Sequence, residues 1–382
     1  MPRAGQTTTA LGAGLPQRVV LGLLIRAFPP AQVDEILDVL GRREQRQRLL
    51  PARLMVYFTL GMWIFGALSY EEVLAEIVRA VPGLTLPSGT ETATAAAIGR
   101  ARRRLGVEPL RLLFEQAAAR GAPPVPDPLL PGGWHSLRVS RIGVEVPDTL
   151  ANRIEFAARP LEAAAPGAPR VYLSLLIDDY THRILAASVS GGTDWARDRR
   201  IAAAMSPGAL VLMDQRPFSA ALWTAVRDRG CEQLWPVADT VSFPVHQRLP
   251  DGSGLSRLPG SAGPAAARAV VRVVDRAGPG QDGADGSAPP GEGRLVTSVL
   301  DHRKAPAERL TAVFDRCRTS GYGFESISAY QGGNRIVLRS KSPDLVCQEL
   351  YAMLCVHHAI GELVDATLQD AATLPRVAEG AR

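Results

Sequence analysis

From about residue 16 to residue 120 the apolar positions recur at intervals of three and four, the spacing that lines one face of a helix. Val33, Ile36, Leu37 and Leu40 form such a stripe after the break at Pro29-Pro30. Pro51 opens a further helix, and the run Met55 to Leu68, with Tyr57, Phe58, Trp63 and Phe65, is apolar on every side. It falls well short of the roughly 20 residues needed to span a bilayer, so it predicts a buried core helix. Ser69, with Glu72 three residues later, is a capping box that starts the next helix. The last helical block carries Arg100, Arg102, Arg103 and Arg104, stops at Gly106 and gives way to an apolar run from Leu110 to Phe114. An all-helical module with an arginine cluster suits contact with the DNA backbone, and equally a solvated helix face.

The period changes after the proline- and glycine-rich segment Gly121 to Gly133, which reads as a linker. Leu137 to Val146 is extended, Val171 to Ile177 is a continuous apolar strand, and Arg183 to Val189 is its hairpin partner. Leu210 to Met213 is a short buried strand that ends at Asp214, and Ala220 to Arg229 is a helix. Between residues 236 and 304 the pattern is strand-rich: Val270 to Val274 and Leu295 to Leu300 are strand-like, and Leu249 to Ser253 is a turn. Gly278 to Gly293 is Gly/Pro/Asp-rich and predicts a disordered hairpin tip. From Pro306 to Thr367 helical spacing returns. The expected fold class is α/β, a helical N-terminal domain followed by a mixed sheet.

Composition adds little to this. The 382 residues hold 43 Lys+Arg against 38 Asp+Glu, a net charge of +5 with a sequence pI of about 9.3. Arginine dominates the basic set and offers planar, paired donors suited to phosphate, although Arg-, Ala-, Gly- and Pro-rich chains are also a compositional background. Cys231, Cys317, Cys347 and Cys355 form no CxxC pair and are expected to be reduced, buried thiols of a cytoplasmic protein. No signal pattern opens the chain, and no membrane partner is expected.

Four blocks, in order along nearly the whole chain, carry a resemblance. They are Leu15-Pro16-Gln17 through Gly66 together with Ala101 to Leu110; Val144 to Thr149 with Ala151-Asn152; Pro207 to Asp214 with Phe218 and Leu222-Trp223; and Gly332-Gly333-Asn334-Arg335 through Leu345. Together they resemble the DDE transposases of the insertion-element-four type. The resemblance implies a helical DNA-binding-type domain over 1–120, a linker over 121–133, and a ribonuclease-H-like core over 134–235. A β-rich insertion over 236–304, C-terminal core helices over 305–370 and a tail over 371–382 complete it. It also implies DNA transposition of an insertion sequence. Double-stranded DNA at the element ends is the expected partner, a homodimer is admitted, and Mg²⁺ is the expected cofactor. DNA contacts fall to Arg100, Arg102, Arg103, Arg104, Arg335, Arg339 and Lys341.

Two of the three metal-binding acids of that family are missing. Asp214 matches the second acid and is the one catalytic and metal residue assigned. The first acid position, eight residues before Asp148, holds Ser140, followed by Arg141. Glu145 lies at an odd offset and points to the other face of a strand. Arg316 matches the arginine of the family's helical motif, which places Ser320 at the third acid and Val313 at its tyrosine. Glu325 is roughly 140° off the required helix face. A hydroxyl is a weak ligand for Mg²⁺, which favours hard carboxylates. This copy is therefore expected to be catalytically impaired or inactive; the alternative is a non-catalytic DNA-binding or oligomerising protein derived from a transposase. Asp178-Asp179 reads as a turn before it reads as a metal site, and His357-His358 lacks a partner spaced for metal.

Overall fold

In the computed structural model the described residues are 17–44, 48–81, 93–120, 125–156, 168–191, 199–213, 220–237, 241–258, 269–276, 293–319, 336 and 338–373. They fall into two compact units, one of 1–120, 145–155 and 325–382, the other of 121–144 and 156–324.

The first unit is helical: α1 (Gln17–Ala27), α2 (Pro30–Val39), α3 (Ala52–Ile64), α4 (Tyr70–Ala80), α5 (Ala95–Leu105), α6 (Glu108–Ala119), the short α7 (Leu150–Phe156) and, far along the chain, α11 (Pro343–Thr373). Helix α3 is buried on every side, as its sequence requires, because α1, α2, α4, α5 and α11 all pack against it. Its two buried hydroxyls are satisfied, Thr59 donating to Met55 O at 2.8 Å and Tyr57 to Phe28 O at 2.6 Å. Gly61 lets α4 approach: a Cβ there would lie 2.6 Å from Ile77 Cδ1. The capping box forms as expected, Ser69 N donating to Glu72 at 2.8 Å while the Ser69 hydroxyl accepts from Glu72 N. Helix α11 buries Val346, Leu350, Ala352 and Leu354, and Trp63 Nε1 donates to Glu349 O at 2.6 Å. Apolar burial against α3 and α6 is the reason residues 343 onward group with the first 120. Of the range 305–370, expected as C-terminal core helices, α10 groups with the sheet unit and α11 with the helical unit.

The second unit is built on a nine-stranded mixed sheet in the order β3-β2-β1-β4-β5-β9-β8-β7-β6. The strands are β1 (Ser136–Glu145), β2 (Arg170–Asp178), β3 (Ile184–Ser190), β4 (Leu210–Met213), β5 (Glu232–Val237), β6 (Gln247–Arg248), β7 (Gly254–Arg257), β8 (Val270–Asp275) and β9 (Arg294–Thr297). β4 runs parallel to β1 and to β5, whereas β2 pairs with β3, and β5 through β9, β8 and β7 to β6, in antiparallel fashion. The strand-rich region thus continues the same sheet, through Leu234 opposite Thr297 and Trp235 opposite Val296.

Alternation sorts the two faces. Leu137, Val139, Val211, Met213 and Trp235 point into one core with α8 (Arg199–Ala203) and α9 (Ala220–Asp228). Leu210, Leu212, Leu234 and Leu295 point into another, closed by Leu310, Val313, Phe314 and Cys317 of α10 (Ala307–Thr319). Among the described residues no helix is long and apolar enough to cross a membrane. All four cysteines are free thiols, three buried and Cys347 half-buried.

Candidate functional site

Ser140 lies on β1 one residue beyond Val139, and Val139 pairs with Met213, the residue before Asp214 in the chain. Asp214, Ser320, Glu325 and the segment Gly332 to Arg335 lie outside the described residues. Since Leu137 and Val139 face the α8–α9 core, the even positions Ser136, Arg138 and Ser140 share the α10 side. Arg138 places a guanidinium on that side, facing the carboxylate of Asp179. It is buried, its Nη1 donates to Cys317 O at 3.0 Å, and its Nε lies 3.6 Å from Asp179 Oδ1. Arg141 lies over the Tyr172 ring at 3.9 Å to the centroid. Its odd position puts it on the opposite face.

Beneath Ser140 the same face holds a buried ionic cluster. Arg316 on α10 grips Asp127 with both terminal nitrogens, Nη1 to Oδ1 at 2.8 Å, and its Nη2 donates to Asp179 Oδ2 at 3.0 Å. The Ser136 hydroxyl donates to Asp127 Oδ2 at 2.6 Å. Burial acts to raise the Asp127 carboxyl, but hydrogen bonds from Arg316, Ser136 and the Leu129 amide outweigh it and hold the group below the ordinary carboxylate range. The Arg316 guanidinium is correspondingly raised, chiefly by its hydrogen bond to Asp127. Asp178 is a turn residue whose Oδ1 accepts from Tyr180 N and Thr181 N at 3.0 and 2.8 Å. The Asp178-Asp179 pair therefore serves a hairpin and an ion-pair cluster. No group of three or more His, Cys, Asp or Glu that could hold a metal occurs among the described residues.

The predicted DNA-contacting arginines separate by environment. Arg100, Arg103 and Arg104 on α5 are exposed. Arg102 is not a surface cation. Its side chain is fully buried, donating to Ser340 Oγ at 3.1 Å, Leu345 O at 3.2 Å, Gln348 Oε1 at 3.3 Å and the Tyr70 hydroxyl at 3.3 Å. Its phosphate-binding assignment is corrected accordingly, because these donors are spent on joining α5 to α4, to Ser340 and to α11. Arg339 is half-buried over the Tyr70 ring at 4.7 Å, and Lys341 is exposed. Glu349 holds that segment, accepting from Arg339 N and Ser340 N, each at 3.0 Å. The Thr149 hydroxyl donates to Lys341 O at 3.0 Å, and Asn152 Nδ2 to Pro147 O at 2.9 Å. Two of the resemblance blocks, nearly two hundred positions apart, thus meet in the helical unit.

A family model described as the insertion element 4 transposase N-terminal region matches residues 18–115, which run from α1 into α6. Over 351 residues the chain is 26% identical to the transposase InsG for insertion sequence element IS4 of Escherichia coli (strain K12), covering 87% of this chain and 74% of that protein. Both matches support an insertion-element-four-type transposase. A solved piggyBac transposase synaptic complex with hairpin DNA also aligns, at 10% identity and a TM-score of 0.36, covering 100% of this chain and 90% of that one. That score is too low to identify a shared fold.

Motif spacing does not single out Arg138, Asp127 or the arginines of the α2–α3 loop. Arg138 stands two residues before Ser140, so strand alternation alone could have placed it on the same face. Asp127 sits in a proline-rich stretch that carries no periodic signal.

Proposed function

We propose that this chain acts in the transposition of an insertion sequence by binding the DNA of the element ends, with its own strand-cleavage chemistry impaired. The carrying observation is Ser140. It stands on β1 just past the Val139–Met213 pair, where the resemblance calls for an acid, with Arg138 on its face.

The run β3-β2-β1-β4-β5, with an antiparallel β2–β3 hairpin and β4 parallel to both its neighbours, supports reading residues 134–235 as a ribonuclease-H-like core. Strands β6 to β9 then correspond to the β-rich insertion before α10. The metal expected from the family is Mg²⁺, which would activate water or a 3′-hydroxyl at a phosphodiester. The described side chains at the site do not fit it: Ser140 brings a neutral hydroxyl and Arg138 a cation, where Mg²⁺ requires carboxylate oxygen. No cleavage step is therefore assigned to this copy. Arg100, Arg103, Arg104, Arg335, Arg339 and Lys341 remain the proposed DNA contacts, and Asp214 the one retained acid.

The test is a binding and cleavage assay on duplexes carrying the element's terminal repeats, with Mg²⁺ or Mn²⁺ present. Salt-sensitive binding without cleavage is expected. Metal-dependent cleavage that disappears in Asp214→Asn would overturn the impaired reading.

A further inference from the structure

Arg272 is fully buried on β8, at a position where the alternation of the strand calls for an apolar side chain. Val271 and Val273 face the α8–α9 core and Val274 faces α10, so Arg272 turns toward α10 as well. A buried guanidinium is costly unless its donors are matched, and the partners here fall into two groups. On the β6–β7 turn, Ser253 Oγ accepts from Nε at 2.7 Å and Asp251 pairs with Nη2; in the segment that enters α10, Ala305 O accepts from Nη1 at 2.7 Å. Asp251 closes the circuit, its Oδ2 accepting from Ala307 N, the first amide of α10, at 2.9 Å. Pro306, just before that helix, carries no side-chain acceptor, so the cap is supplied from 56 positions away.

The same strand holds the other end of the helix. Arg276, just past the end of β8, pairs with Asp315 and lies over the Phe314 ring at 5.3 Å to the centroid. From Arg272 to Arg276 an extended chain advances about 13 Å, and from Ala307 to Asp315 a helix advances about 12 Å. The two spacings match, so α10 is pinned to β8 at both ends. Immediately after Asp315 come Arg316, which clamps Asp127 and Asp179, and Cys317, whose carbonyl accepts from Arg138 on the Ser140 side of β1. We infer that Asp251 and Arg272 are positioning residues: strands β6 to β9 set where α10 lies along the sheet, and thereby where it presents Arg316 to the Ser140 face and hands the chain on to Ser320. The inference rests on the reading of Ser140 and Ser320 as the two replaced acid positions, and names what aligns them.

The test uses the full chain and peptide-resolved alkylation of its native thiols. Cys317 reports the seat of α10, and Cys231, buried in the α8–α9 core, reports the rest of the sheet unit. Asp251→Ala should speed alkylation of Cys317 about tenfold and leave Cys231 unchanged. Adding Pro306→Asp supplies a local cap; it should recover stability to urea but not the protection of Cys317, because the tie to the β6–β7 turn stays broken. Arg272→Lys, which keeps the charge but not the forked donors, should expose Cys317 in the same selective way. Unchanged alkylation of Cys317, its recovery by Pro306→Asp, or equal acceleration of Cys231 would each overturn placement and leave only a cap or a general stabiliser. A second arm uses the Ser140→Asp/Ser320→Glu chain with Mg²⁺ and a terminal-repeat duplex. There Asp251→Ala should lower turnover about tenfold at unchanged duplex affinity; unchanged turnover would also overturn the inference. If the acid-restored chain cleaves nothing, the assignment of the acid positions fails, a result separable from the thiol readout, which needs neither DNA nor metal.

Discussion

Arg316 and Asp127 stand 189 positions apart and meet as a bidentate pair, with Nη1 to Oδ1 at 2.8 Å and the Asp127 side chain fully withdrawn from solvent. The same guanidinium reaches Asp179, whose side chain is equally buried. Arg316→Ala would leave two buried carboxylates short of their shared cation. Breaking such a pair costs about 3–5 kcal/mol, here toward the lower end since the Arg316 side chain is 29% exposed. Urea unfolding should show that loss. Arg316→Lys, which keeps the charge but not the paired donors, should lose less.

Acid should act through the same residue. The Asp127 carboxyl is held below its ordinary range in the folded chain, so its contribution is present above the unfolded value of about 3.9 and is lost as pH falls through the lower folded value. Melting temperature should therefore drop below about pH 4, and Asp127→Asn, less stable at neutral pH, should show a shallower drop over that window. An identical acid limb in the variant would move the effect to other carboxylates.

Adjacent arginines on α5 should behave oppositely. Arg102→Ala removes four donor contacts, three of them buried, and should cost about 3 kcal/mol in chemical unfolding. Arg103→Ala, on the exposed face, should stay within about 0.5 kcal/mol and weaken duplex binding instead.

Gly61→Ala tests the contact between α3 and α4. A methyl group there would meet Ile77 Cδ1 at 2.6 Å and Ile77 Cγ1 at 3.1 Å. Overpacking of this kind costs about 1–3 kcal/mol, and a melting temperature equal to wild type would show that Ile77 rotates away freely.

Restoring acids tests the impaired site. Ser140→Asp alone should yield no metal-dependent cleavage, because the third position would remain Ser320. Ser140→Asp with Ser320→Glu should gain cleavage that requires Asp214. Cleavage by the single variant would refute the assignment of Ser320.

Helices and strands were legible wherever a local apolar stripe, cap or unbroken apolar run marked them. The stripe Val33, Ile36, Leu37, the capping box at Ser69 and the strand Leu210–Met213 all follow from local period and local hydrogen bonding. β5 was missed; it is short, its Pro236 argues against a strand, and it pairs with β9 some sixty positions away. The candidate site divides in the same way. Ser140 and the exposed arginines could be named from motif spacing, but spacing says nothing of solvent, so Arg102 looked like its neighbours on α5.

The sequence by itself determined the helical first block, the strand-rich second and the serine at position 140, because local period and residue identity are properties of the chain alone. Only the tertiary structure decided where the arginines spend their charge. Arg102 and Arg138 turn inward to carbonyls, hydroxyls and a carboxylate, Arg316 clamps Asp127 and Asp179, and Arg48 and Arg100 stay in solvent. The reason is that an arginine's role depends on what lies within a few ångströms of its guanidinium, and those neighbours come from segments that only folding brings together.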